Sequence, residues 1–237
     1  MISSETSQHL KHAGTATLTT QLFKRGLRNV FIQGIRRMSA AKENMVGEAF
    51  TLRYIPARED LDLLSGFENP EHPQRKAIET VPPGQVLVMD CRRETRAASA
   101  GDILLTRLKV RGAAGIVTDG CLRDSDAIAV MEFPVYAAGG SAPLNLVCHH
   151  AVDINLPIAC GGVAVFPGDV LVGDGEGVVV IPKHLVDEVA RDAHEQEMLE
   201  EFVIGEIAAG RPLPGTYPPN ADTLLRYREW RQRRDEK

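Results

Sequence analysis

Apolar positions recur at helical spacing near the start of the chain. Leu10, Ala13, Leu18, Leu22 and Phe23 predict one helix over about 7–25, with Gly26 as its stop. Val30-Phe31-Ile32 reads as a short strand. A longer strand is expected over 48–55, where Ala49, Thr51 and Arg53 alternate with Phe50, Leu52 and Tyr54. The stretch 56–73 is polar and rich in turn formers, so a long loop is expected, and loops of that length inside a compact domain tend to carry function. A short helix over about 74–80 ends before the turn signal Pro82-Pro83-Gly84. Elements then alternate: strand 85–90 (QVLVMD), helix 100–111, strand 115–118, helix 125–131 and strand 134–136. This rhythm predicts an α/β fold, a sheet with covering helices.

The pattern changes after residue 160. Apolar runs at 163–166, 170–172 and 178–181 are separated by Pro167-Gly168-Asp169 and by Gly173-Asp174-Gly175-Glu176-Gly177, which is turn chemistry between tight strands. A long amphipathic helix is expected over 184–208, ended by Pro212 and Pro214. Its span 184–206 carries eight acidic residues and one basic one. The tail 221–234 reads as a basic helix bearing Leu224, Leu225 and Trp230, to be packed either on a neighbouring subunit or back on its own chain. The organisation expected is an α/β body over 1–211 and a C-terminal extension over 212–237 that contacts other copies.

Bulk properties narrow the function classes. The 237 residues are 43% hydrophobic and 25% charged, the balance of an ordinary globular chain. A net charge of −5 gives no field to gather nucleic acid. No run of 18 apolar residues is present to span a membrane, and the polar start of the chain lacks the apolar core of a signal peptide. Cys91, Cys121, Cys148 and Cys160 form no C-x-x-C pair and read as reduced thiols of a cytoplasmic protein.

The candidate chemistry lies between residues 98 and 126. Asp119-Gly120 closes a strand, Arg123-Asp124 follows, and Asp126 adds a further carboxylate, an oxygen-rich set suited to Mg²⁺ or Mn²⁺. Upstream, the small residues of a loop over 98–101 lead into Asp102, Ile103 and Leu104, where open backbone N–H groups at a helix start favour an anion. A carboxylate resting on that cradle could be gripped from the other side by Arg123. Taken singly, each feature also has a plain structural reading: an Asp cap with an Arg surface ion pair, or an ordinary helix start with Asp102 in its first turn. Other chemistries find less support. The seven histidines lack zinc spacing, and His149-His150, read on a helix, diverge. No nucleophile elbow or phosphate-loop lysine occurs, Gly112-x-x-Gly115 reads as a helix exit, and Lys109 is placed as a surface lysine rather than a Schiff-base former.

The spacing Asp102-x20-Arg123-Asp124, with GAAGIVTDGCLRD around it and VAVFPGDVLVGDGEGVVVIP downstream, resembles the RraA-like family. That family holds metal-dependent 4-hydroxy-4-methyl-2-oxoglutarate aldolases and regulators of ribonuclease E activity. The resemblance covers roughly 14–208. It implies a swivelling β/β/α domain of layered sheets and covering helices, assembled as homotrimers or homohexamers with sites at subunit interfaces. Carried over by position, Asp124 would be the direct Mg²⁺ or Mn²⁺ ligand. Arg123 would hold a pyruvate-type carboxylate and the water that moves a proton. Gly101, Asp102, Ile103 and Leu104 would offer backbone N–H groups, with Asp102 also in the water-mediated metal shell. Glu197 or Glu200 of a neighbouring subunit would approach the metal. The implied activity is class II aldol cleavage of 4-hydroxy-2-oxo acids to pyruvate, with oxaloacetate decarboxylation as a side reaction. The alternatives are a protein-binding regulator of ribonuclease E, or a lyase for another sugar-derived 2-oxo acid.

Overall fold

The computed structural model describes residues 2–235. The chain opens with α1 (Ser4–His12) and α2 (Thr15–Lys24), then β1 (Arg36–Arg37) and the long β2 (Met45–Pro56). A 3-10 turn over Leu64–Glu68 precedes α3 (Pro73–Thr80), β3 (Gln85–Asp90) and β4 (Ala98–Ala100). Next come α4 (Asp102–Val110), β5 (Gly115–Thr118), β6 (Cys121–Leu122) and α5 (Ser125–Ala129). These lead to β7 (Val135–Ala137), β8 (Gly139–Gly140), β9 (His149–Ile154), β10 (Ile158–Cys160) and β11 (Val163–Val165). The chain closes with β12 (Val170–Gly173), β13 (Val178–Ile181), α6 (Val186–Ala208), α7 (Leu213–Thr216) and α8 (Ala221–Asp235).

The architecture is layered α/β. The main sheet has the order β1-β7-β5-β3-β2-β12-β13, with β9 also on β2. β2, β3, β5 and β7 are mutually parallel, and β12, β13, β9 and β1 join antiparallel. Both faces of the sheet are covered, which is why QVLVMD reads as an unbroken apolar run. Leu87 and Met89 face α3, α4 and α5 through Ile78, Leu105, Leu108 and Ile128. Val86 and Val88 face the β10–β11 hairpin through Ile158, Val163 and Val165. A third cluster joins Leu10, Leu18 and Leu22 to Val170, Val179 and Val189, seating the N-terminal helices and α6 on β12–β13.

Several elements differ from the sequence reading. The expected helix over 7–25 is broken at Ala13 and Gly14, both extended. The break is held by tertiary partners: Gly14 N–H donates to Glu197 Oε1 at 2.9 Å, and Thr15 N–H to Asp174 Oδ2 at 2.7 Å. The expected strand at 30–32 is a single bridge, Phe31 to Val179, outside the sheet proper. His149-His150 lie on strand β9 rather than a helix; His149 is buried, while His150 turns to Asp62 at 2.7 Å. The C-terminal helix folds back on its own chain: Trp230 packs on Phe202 of α6 at 5.7 Å, and Arg226 Nε donates to Glu206 at 2.9 Å. Among the described residues no helix is long and apolar enough to cross a membrane, and all four cysteines are free and buried.

Candidate active site

Three short parallel strands form a second sheet, in the order β4-β6-β8. Each follows, after a break, the carboxyl end of one strand of the main sheet: β4 after β3, β6 after β5, β8 after β7. That edge is where parallel α/β sheets collect ligands. The sequence reading treated 98–100 as loop and helix start. The strand there is only three residues long and pairs with a segment some twenty positions away, so no local pattern announces it.

β4 runs out into Gly101 and β6 into Arg123. Arg123 N–H donates to Ala100 O at 3.0 Å, keeping the two strand ends side by side. Gly101 is the N-cap of α4 and supplies no capping side chain. Asp124 fills that role from the neighbouring strand end. It adopts the left-handed conformation (φ 62°, ψ 41°), uncommon outside glycine but tolerated by Asp. Its Oδ2 accepts from Asp102 N–H at 3.3 Å and lies 3.6 Å from Arg123 Nε. The carboxylate thus sits at the positive end of α4, where the dipole favours it. A side chain at residue 101 would have no room, because its Cβ would overlap Asp124 Oδ2 and stand 3.1 Å from Arg123 Cγ and Nε.

Gly101 to Leu104, Arg123 and Asp124 line a cavity of about 130 Å³. Phe67, Gln74, Arg75 and Asn145 line the same cavity. These four escaped the sequence reading; the only signal was the length of the 56–73 stretch that leads to α3. On the far side of the Arg123–Asp124 ridge a second opening of about 440 Å³ is lined by Ser125, Gly140 and Ser141. A larger groove, about 1010 Å³, lies at the amino ends of β2 and β3, where no comparable set of catalytic groups converges.

The other expected residues are dispersed. Asp102 is half-buried and offers its N–H as above; Ile103 is exposed and Leu104 half-buried. Asp126 is exposed in the first turn of α5 and does not join Asp124, so the oxygen-rich cluster expected there is not assembled. Asp119 is a buried structural acid. It accepts from Cys91 N–H at 2.7 Å and from Arg93 and Gly161 N–H, each at 3.1 Å. Burial raises its pKa above the ordinary carboxylate range against the pull of those N–H groups. Within one chain Glu197 holds Gly14, and Glu200 accepts from Gln196 at 2.7 Å, both on α6. Among the described residues no three His, Cys, Asp or Glu side chains are grouped to share an ion. Asp124 stands alone, about 40% exposed. One accessible carboxylate fits a hard cation that keeps most of its water shell, as Mg²⁺ does, and does not fit an all-protein cage.

A provisionally named 4-hydroxy-4-methyl-2-oxoglutarate aldolase of Halalkalibacterium halodurans is 38% identical over 126 residues, 53% of this chain and 60% of that protein. The match therefore spans less than two thirds of that relative. Among solved structures, an uncharacterised protein of Pseudomonas syringae pv. tomato superposes with a TM-score of 0.78 at 26% identity, covering 91% of this chain and 98% of its own. A Streptomyces coelicolor protein, described as an unusual member of the RNase ES inhibitor RraA protein family, gives 0.73 at 29% identity, covering 85% and 96%. The RraA-like family model, described as Aldolase/RraA, matches residues 15–180, and the chain belongs to that family.

Proposed function

We propose that the chain is a carbon–carbon lyase that cleaves 4-hydroxy-2-oxo acids of the 4-hydroxy-4-methyl-2-oxoglutarate type to pyruvate, using Mg²⁺ or Mn²⁺ at Asp124, and that it also decarboxylates oxaloacetate. One observation carries this reading: Arg123, the N-terminus of α4 and the Asp124 carboxylate converge on a glycine that leaves them room. In this reading the substrate carboxylate lies across the N–H groups of 101–104, and the Arg123 guanidinium neutralises it and fixes its orientation. A divalent ion at Asp124 would supply Lewis acidity toward the oxygens of a 2-oxo acid. A water held by Arg123 would take the proton of the C4 hydroxyl; decarboxylation needs no such base. The aldolase naming of the Halalkalibacterium relative supports the reaction class.

The assembly proposed is a homotrimer or homohexamer, with Glu197 or Glu200 of a neighbouring copy approaching the site and α8 adding to subunit contacts. A cytoplasmic location is part of the same reading. The test is pyruvate release from 4-hydroxy-2-oxo acids and from oxaloacetate, abolished by EDTA and restored by Mg²⁺ or Mn²⁺. Arg123→Ala and Asp124→Ala are each expected to lower kcat/KM by about 10²-fold or more. Near-wild-type turnover in either variant would refute the site assignment. A second reading, a protein that binds and inhibits a ribonuclease, is favoured by the likeness to the Streptomyces protein. A binding assay against ribonuclease E beside the pyruvate assay separates the two.

A further inference from the structure

The part of the cavity lined by α3 is built like a recognition surface. Arg75 on α3 stands over the Phe67 ring, its Cζ 4.4 Å from the centroid, and Phe67 is in turn set edge-on to His72 at 5.2 Å. The aromatic face holds the guanidinium in place without neutralising it. Among the described residues no carboxylate pairs with Arg75. Burial is the main cause that lowers its proton affinity, and the Arg123 charge adds to it against an opposing contribution from Tyr54. Arg75 nevertheless stays protonated at any ordinary pH. Arg75 and Arg123 therefore line one cavity in which Asp124 pairs with Arg123 and Arg75 has no paired carboxylate, an arrangement that a bound anion relieves.

A second observation is independent of charge. Gln74 and Asn145 line the same cavity and are only 2% and 6% exposed. Both amide groups donate to Ser99 O of β4, at 2.6 and 3.3 Å. Gln74 Oε1 and Asn145 Oδ1 are left buried without a donor. The Gln74 bond ties α3 to β4 and so fixes the position of Arg75, the next residue, at the edge of the cavity. The cavity, about 130 Å³, has room for a short acid.

We propose that Arg75 receives a second carboxylate of the substrate, so that Arg123 and Arg75 together select a short dicarboxylic 2-oxo acid over a monocarboxylic one. This rests on the 2-oxo acid reading above and adds a specificity-determining residue to it. The test is calorimetric titration of the Mg²⁺-supplied protein with 2-oxoglutarate and with pyruvate. The wild type is expected to bind 2-oxoglutarate at least about tenfold more tightly. Arg75→Gln should remove that preference, weakening 2-oxoglutarate roughly tenfold while changing pyruvate less than about twofold. Arg75→Lys, which keeps the charge and loses the fork, should fall between the two. It carries the test if the glutamine variant does not fold. An equal effect on both ligands, or none on 2-oxoglutarate, overturns the role of Arg75 and leaves the 2-oxo acid reading standing. Binding of neither ligand by the wild type refutes that reading and the Arg75 proposal with it.

Discussion

Gly101→Ala separates the site from the fold. Gly101 has φ −135° and ψ −178°, extended backbone that alanine adopts without strain. The entire cost is therefore steric, and it falls on two side chains. The new Cβ would overlap Asp124 Oδ2 and press on Arg123 Cγ and Nε at 3.1 Å, against ordinary contact from 3.4 Å. The carboxylate must retreat by on the order of 1 Å, and Arg123 by a few tenths; misplacement of that size costs about 10²-fold in rate. Stability should hardly move. Both side chains are exposed enough to yield, 47% and 40%, and alanine removes unfolded-state freedom worth about 0.4–1 kcal/mol. The expected result is a loss of kcat/KM for pyruvate release near 10²-fold with Tm within about 4 °C of wild type. Gly205→Ala is the matched control: Gly205 is an exposed interior position of α6 with nothing within 4 Å. It should gain up to about 1 kcal/mol and leave activity unchanged. Full activity in Gly101→Ala, or a loss of activity that merely tracks a large drop in Tm, would refute the reasoning.

Three further outcomes follow from the same structure. His149 is fully buried, and burial first of all pushes its pKa below 6.5. The unfolded chain then binds the proton more readily, so this residue's contribution to stability is present above pH 6.5 and is lost as pH falls below it; urea midpoints that stay flat between pH 7.5 and 5.5 would contradict this. Asp119 has the opposite sign. Its raised native pKa means that stability declines as pH climbs from the unfolded value of 3.8 toward the native one. Asp119→Asn should abolish that slope and cost about 1–3 kcal/mol, because one N–H acceptor becomes a donor, and a thermal scan against pH reads both. Trp230 is the single tryptophan, so its fluorescence reports docking of α8 on α6. Phe202→Ala is expected to red-shift it and lower stability by about 3 kcal/mol; an unchanged spectrum would mean that α8 packs elsewhere.

The legible parts of the fold were those with a strong one-dimensional pattern. β3 and β5 match their expected bounds because both sheet faces are buried and the apolar runs are continuous. α6 was visible from its amphipathic face, and the β12–β13 hairpin from its Gly-Asp turn. The break at Gly14 was not legible, because it depends on Glu197 and Asp174, some 160 to 180 positions away. β9 was hidden because its partner is β2, nearly a hundred residues upstream. In the site, Gly101 to Leu104, Arg123 and Asp124 could be picked out because they follow strands at a family-like spacing. Arg75 and Gln74 could not, because on α3 they resemble ordinary polar positions of a short helix.

The sequence by itself determined the α/β class and the order of the parallel strands' helical crossovers, and it picked out the candidate glycine–arginine–aspartate set. Those follow from local periodicity, turn chemistry and spacing. Only the tertiary structure decided that β4, β6 and β8 form a sheet of their own, since strands of two or three residues exist only through their neighbours. It also decided that Asp126 stands apart, that Asp119 is buried scaffold and that Arg75 and Arg123 line one cavity. A side chain's chemistry is written at its own position, but what it can act on is set by the strand ends and helix faces that folding brings opposite it.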